Sequence, residues 1–130
     1  MHKKTKIAEY GIIIKDNKFL MLQFSKKTNP TEKWIFPGGR MNANEKPKQA
    51  LKREIKEETG LEVEIKKPID VLEWGEKEDN RYAIFFKCKH KKGKVRLSKE
   101  HQNYKWYTFK ELNKIDYYQK EFKEILKKAK

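Results

Sequence analysis

Apolar and polar positions alternate along this chain in blocks, and the blocks predict its elements. Ile7 to Phe24 carries Ile12, Ile13 and Ile14, then Phe19, Leu20, Met21 and Leu22, on either side of Asp16-Asn17. That pattern predicts a β-hairpin whose turn tolerates left-handed backbone angles. Ser25 to Lys33 is polar, contains Pro30, and reads as a loop. Trp34-Ile35-Phe36 reads as a short strand ending at Pro37, after which Gly38-Gly39 is expected to turn the chain sharply. Glu45 to Thr59 has helical periodicity, with Pro47 in the first turn and Gly60 just past the end, where Leu61 makes the apolar contact. Leu61 to Trp74 and Arg81 to His90 alternate as strands, and Lys91-Lys92-Gly93-Lys94 reads as a turn that leads into Val95-Arg96-Leu97. Tyr104 to Phe109 alternates again. Thr108 to Glu111 has the form of a capping box and Asp116 to Gln119 resembles one. A last helix puts Phe122, Ile125 and Leu126 on one face. Mixed strands with one helix between them and another at the end predict an α/β (α+β) sandwich.

Length and composition narrow the class. The 130 residues of 1–130 suit one domain, with 36% hydrophobic and 40% charged residues. No run approaches the roughly 18 apolar residues of a membrane span. Well-spread aromatics, 12% of the chain, argue against disorder. The one cysteine, Cys88, excludes an intramolecular disulfide, and Met1-His2-Lys3-Lys4 has no apolar stretch behind it, so a cytoplasmic location is expected. Lys and Arg number 33 against 19 Asp and Glu, a net charge of +14. Such a balance suits nucleic acid, an anionic surface or a phosphate-rich small molecule. Only Arg40, Arg53, Arg81 and Arg96 are arginine, whereas groove-reading surfaces lean on arginine. Most of the lysine therefore reads as solvated surface. In Lys87 to Lys99, which has no acidic residue, it reads as a hairpin edge protected from pairing, with an electrostatic rim as the other possibility. Cys88, inside an alternating strand, reads as a buried apolar residue.

Chemistry concentrates in Gly39 to Leu61. At about 100° per residue, Ala50, Arg53, Glu54, Glu57 and Glu58 share a broad helix face, while Lys48, Lys52 and Lys56 face water. Glu54, Glu57 and Glu58 repel one another, and Arg53 can pair with Glu57 at i,i+4 but cannot neutralise all three. Clustered hard oxygen ligands are what Mg²⁺ or Mn²⁺ takes, usually with water and substrate phosphate completing the shell. Glu45 can approach the same spot from the loop.

These residues match a family pattern. GX5EX7REUXEEXGU, with U aliphatic, is filled by Gly39, Glu45, Arg53, Glu54, Ile55, Glu57, Glu58, Gly60 and Leu61. Nine constrained positions at fixed spacing arise by chance on the order of 10⁻¹⁰ per start. The chain thus resembles the Nudix hydrolases, and the resemblance spans essentially its whole length. It implies a Nudix fold, a mixed sheet between helices, and a Mg²⁺-dependent pyrophosphohydrolase (Mn²⁺ as the other cation). Such an enzyme cleaves the diphosphate linkage of a nucleoside diphosphate linked to another group. It implies Glu54, Glu57 and Glu58 as metal ligands and catalytic carboxylates, with Gly39 contributing its carbonyl, Arg53 orienting the glutamates, and Glu45 bracing the loop, joining the metal site through water or contacting substrate.

Downstream, Ser98, Glu100, His101, Tyr104 and Trp106 fill SXEHXXYXW, a stretch similar to one in dinucleoside polyphosphate hydrolases of the family. Glu100 is there a candidate base or extra metal ligand, and His101 and Tyr104 are candidate substrate contacts; a surface-loop histidine and a core tyrosine are the plain alternatives. Gly38-Gly39-Arg40 departs from the basic triplet of those enzymes and looks more like nucleotide-sanitising or nucleotide-sugar members, with Arg40 placed to meet a phosphate. The expected partner is a phosphorylated nucleotide, with a dinucleoside polyphosphate or a (d)NTP in front. RNA 5′-end hydrolysis, ADP-ribose or nucleotide-sugar hydrolysis and nucleotide or RNA binding without turnover remain as alternatives. Monomer and homodimer are both open.

Overall fold

The computed structural model describes residues 5–76 and 79–130; the Met1–Lys4 run, on which the absence of a leader was read, lies outside them. The hairpin forms as its pattern dictates. Strands β1 (Lys6–Lys15) and β2 (Lys18–Phe24) meet at Asp16 and Asn17, both with positive φ (49° and 62°). Two left-handed residues match the right-handed twist of the strands, and Asp and Asn tolerate them.

The hairpin then splits. β1 and β2 pair only at Ile14↔Phe19 and Lys15↔Lys18. Into the opening goes the segment carrying β3 (Trp34–Ile35), on β2, and β4 (Gly38–Arg40), on β1. The Gly11 N–H donates to Pro37 O at 2.8 Å and closes the wedge. Gly38-Gly39 is therefore strand and not the turn expected from the sequence. A glycine pair permits sharp turns, but the unpaired edge of β1 offered it ladder hydrogen bonds instead. Gly38 has φ 146°, which L side chains rarely adopt, and a side chain there would also overlap the Glu9 carbonyl oxygen and lie 2.7 Å from Tyr10 Cα.

On its other side β1 runs parallel to β6 (Asp79–Lys92), which pairs antiparallel with β5 (Glu62–Glu76); β7 (His101–Thr108) pairs with β2. The result is one seven-stranded mixed sheet. Helix α1 (Pro47–Thr59) covers one face, where a Cβ on Gly11 would stand 2.8 Å from Ile55 Cδ1 and 3.1 Å from Cys88 Sγ. Helix α2 (Phe122–Ala129) covers the other, with Phe122 packed edge-on to Phe85 at 5.5 Å. The sandwich is as the pattern predicts. No helix among the described residues is long and apolar enough to cross a membrane.

Some boundaries moved. α1 starts at Pro47, not Glu45, because Glu45 is held by Arg53 in the loop. Gly60 (φ 75°) ends it, donating to Lys56 O at 2.9 Å. β7 begins at His101 rather than Tyr104, and its buried residues are His101 and Tyr107; Tyr104 is exposed, and Trp106 is half-buried against the core. The Thr108–Glu111 box forms reciprocally (2.9 and 3.2 Å) but caps a 3₁₀ turn, Glu111–Lys114. Asp116 to Gln119 caps nothing: the Asp116 carbonyl accepts from Trp34 N–H, Tyr117 bridges to Trp34, and α2 starts at Phe122 without a side-chain cap.

The two glycines give a stability test. Gly38→Ala puts a Cβ into backbone atoms and should cost about 3 kcal/mol or more in urea unfolding. Gly60→Ala meets nothing nearer than 3.6 Å and should cost only the left-handed strain, about 1 kcal/mol.

Candidate active site

α1 presents its acidic face to the glycine strand. Ala50, Leu51 and Ile55 are buried against the sheet, and that packing sets the rotation of the helix. Glu54 lies over Gly39: a Cβ there would be 3.1 Å from Glu54 Oε2. Any side chain there would push the carboxylate aside by a few tenths of an ångström. One turn on, Glu58 is 5% exposed and accepts the Gly38 N–H at 3.2 Å. The pattern that marks this segment is thus a packing relation between two glycines and two glutamates.

Arg53 organises the remaining charge. Its Nε and Nη2 donate to both oxygens of Glu45 at 2.8 Å, its Nη1 to Glu57 at 3.0 Å, and its Nη2 to Glu54 at 3.1 Å. Such forked pairs are short and directional. Glu45 also accepts from the Asn42 N–H at 3.1 Å, so it ties the 40–46 loop to the helix. Hydrogen bonding to Arg53 holds its carboxyl below the usual range. The Glu57 side chain is 58% exposed and paired with Arg53, while the Glu54 and Glu58 carboxyls lie close enough to act on each other. Among the described residues no three His, Cys, Asp or Glu side chains stand close enough to enclose a metal ion.

Glu100 comes in from outside the helix. Arg96 N–H donates to Thr59 O and Ser98 N–H to Glu58 O, pinning the 96–98 segment against the end of α1. Ser25 N–H donates to Glu100 O. These anchors bring exposed Glu100 to the cavity that Glu58 lines and into electrostatic range of Glu54 and Glu58. Burial first, then Glu100 and Glu54, pushes the Glu58 carboxyl up to about 9, against the Gly38 hydrogen bond. Burial likewise raises Glu54, with Arg53 opposing.

A small cavity, about 110 Å³, opens beside Glu58 and Glu100. Its walls include Tyr10, Phe24, Phe36, Arg81, His101 and Tyr118. His101 is no loop residue: it is buried, stacked on Phe24 at 5.6 Å, and burial lowers its imidazole to about 4. Tyr104 is exposed on β7 and lines no part of the cavity. Arg40 is exposed at the end of β4, paired with Ala8. Lys87 and Lys89 line a different cleft with Lys66, Lys130 and Phe109. In the parallel register Lys89 sits opposite Ile14 and Ile84 opposite Glu9, which puts the two regions roughly 16 Å apart along the strand.

One residue escaped the sequence reading. Glu9, in β1, is 1% exposed, and among the described residues neither carboxylate oxygen has a partner at hydrogen-bonding geometry. Burial, then Glu45 and Glu54, raises it to about 7, while Arg53 and the Leu51 amide pull it down. The available signal was a lone acid inside the apolar run Ile7–Ile14.

Fold and site together define a class: a small mixed sandwich in which one helix gathers carboxylates over a glycine strand. The family model described as NUDIX domain matches residues 5–129, and the chain belongs to the Nudix hydrolases, enzymes that act on pyrophosphate bonds and generally need a divalent metal. It is 35% identical over 107 residues to a Buchnera aphidicola protein named 8-oxo-dGTP diphosphatase, covering 82% of this chain and 80% of that one. A MutT protein structure from Methanosarcina mazei superposes with TM-score 0.86 at 26% identity, covering 99% of this chain and 95% of the other. A C. elegans Ap4A hydrolase complex gives 0.80 at 28%, covering 95% and 93%.

The buried acids predict a pH profile. A carboxyl raised by folding contributes stability below its unfolded value near 4.5 and loses it as pH rises through the folded value. Glu9 completes that loss near 7 and Glu58 near 9. His101 acts oppositely, withdrawing stability as pH falls from 6.5 toward 4. Without divalent metal, the melting temperature should fall between pH 7 and 9 in the wild type and in Glu9→Gln. It should stay flat in Glu58→Gln. A wild-type value that climbs across that range contradicts the assignment.

Proposed function

We propose that this protein is a Mg²⁺-dependent pyrophosphohydrolase, with Mn²⁺ able to substitute, acting on a soluble nucleotide and with a (d)NTP as the leading substrate. The observation that carries the reading is the aromatic cavity opening directly beside Glu58 and Glu100. A base stacked among rings, worth about 1–3 kcal/mol, would leave its phosphates at the carboxylates. One small cavity suits one base. The likeness to a protein named 8-oxo-dGTP diphosphatase supports a mononucleotide. Glu100 and His101 at the cavity, together with the likeness to a protein titled Ap4A hydrolase, favour dinucleoside polyphosphates as the second reading.

The donor set fits the cation: hard carboxylate oxygens, two of them on residues raised by burial and mutual repulsion, and a glycine that leaves space beside Glu54. Glu54, Glu57 and Glu58 with the Gly39 carbonyl would hold it; once bound, it would withdraw charge from the phosphoryl oxygens and acidify water. Arg53 keeps Glu45, Glu54 and Glu57 in their orientations. Glu100, exposed at the cavity, would accept the proton from the attacking water. Arg40 would meet a substrate phosphate, and Tyr10, Phe24, His101 and Tyr118 would frame the base. The main lysine run, on the far stretch of β6, weighs against RNA as the main substrate.

A substrate panel with Mg²⁺ and with Mn²⁺, products identified by mass, tests this. A (d)NTP should give the highest kcat/KM, ahead of dinucleoside polyphosphates, ADP-ribose and 5′-triphosphate RNA. Glu100→Gln should lower kcat by about 10²–10⁴-fold with an unchanged circular dichroism spectrum. Metal-independent turnover, or full activity in Glu100→Gln, would remove the corresponding assignment.

A further inference from the structure

We propose that Glu9 is an additional ligand for a divalent cation, delivered by the sheet and shared with Glu54 across Gly39. This rests on the reading of the site as a cation-dependent hydrolase and adds to it a ligand from outside the helix.

Orientation comes first. Glu9, Gly11 and Ile13 share the face of β1 that α1 covers, since Gly11 lies against Ile55. Glu9 is directly opposite Gly39 in the ladder. Gly39 in turn sits under the Glu54 carboxylate, and Glu45 and Glu54 are the acids that act most strongly on Glu9. The Glu9 side chain therefore enters the acidic cluster from below, between sheet and helix.

Charge comes next. Arg53 is the cation that acts on Glu9, and its hydrogen bonds go to Glu45, Glu54 and Glu57. Four carboxylates thus share one guanidinium. The fourth, Glu9, is fully enclosed, and among the described residues neither oxygen has a partner at hydrogen-bonding geometry. Buried polar groups are nearly always satisfied, and an exception of this kind needs an explanation. A core role explains nothing, because a methionine or leucine would fill the same strand position without a charge. A hard dication satisfies both oxygens and supplies the missing positive charge. Two carboxylates, a backbone oxygen and water are the usual company of such an ion.

Mn²⁺ binding tests this without reference to turnover. Wild type, Glu9→Gln and Glu58→Gln are titrated with Mn²⁺ alone, following the free-ion signal by electron paramagnetic resonance, and melted with and without Mn²⁺. Glu9→Gln should weaken at least one Mn²⁺ by about tenfold or more. It should also raise the metal-free melting temperature at pH 8, since a buried charge is gone, and shrink the gain on adding Mn²⁺. Identical Mn²⁺ stoichiometry and affinity in wild type and Glu9→Gln, with binding weakened in Glu58→Gln, would overturn the inference and leave the proposed function standing. A wild type that binds no Mn²⁺ would overturn both. Should Glu9→Gln not fold, anomalous scattering from wild-type crystals soaked in Mn²⁺ decides alone. An ion within about 2.0–2.6 Å of Glu9 supports the proposal, and ions only at the helix glutamates refute it.

Discussion

Glu9, Glu45, Glu54 and Glu57 are arranged about a single guanidinium, Arg53, and Glu58 is enclosed a turn further along the helix. Like charges in a water-poor setting repel strongly, and each resists ionisation. The molecule tolerates this because its other interactions hold the acids in place. Hydrogen bonds to Arg53 fix three of them, the Gly38 amide fixes Glu58, and the packing of Leu51 and Ile55 on the sheet prevents the helix from turning them to solvent. In the proposed function, that stored repulsion is what a bound cation would relieve. The apolar core stabilises the fold, and the acidic face spends part of that stability on readiness to bind.

That arrangement needs a sheet that opens. If β1 and β2 paired along their length, β1 would have no free edge beneath α1 for the glycine strand. Their divergence after two residue pairs admits the 34–40 segment and places Gly38 and Gly39 in the ladder. Space requires glycine at Gly38, against the β1 backbone, and at Gly39 its lack of a side chain lets Glu54 lie close. The loop after β6 completes the site through backbone bonds to the end of α1, which carry Glu100 to the cavity.

The net charge of +14 says little about the centre. The positive surplus is spread over exposed lysines, and part of it lines a cleft far along β6 from Glu9. Locally the balance reverses. The separation along the strand keeps those lysines from neutralising the carboxylates of the centre.

Much of this was readable from residue order. Periodicity marked the hairpin, α1, the long strands and the terminal helix, because local preference and burial agree there. Spacing within Gly39–Leu61 marked the acidic face, because i,i+3 and i,i+4 neighbours on a helix are also neighbours in space. The reading failed where long-range partners override local preference. Gly38-Gly39 became strand once β1 offered an edge, Asp116 lost its capping role to Trp34, and Tyr104 turned outward. Glu9 is the clearest case. It lies 45 residues from Glu54 in the chain, and no periodicity links them; only the pairing of β1 with β4 beneath α1 makes them neighbours. The sequence by itself determined the family, the pattern of strands and helices and the helix that carries the acids. Tertiary structure alone decided which acids share a space, which are held by Arg53 and which stay unpaired, since buried charges interact through distance and desolvation, and neither is a property of neighbouring positions along the chain.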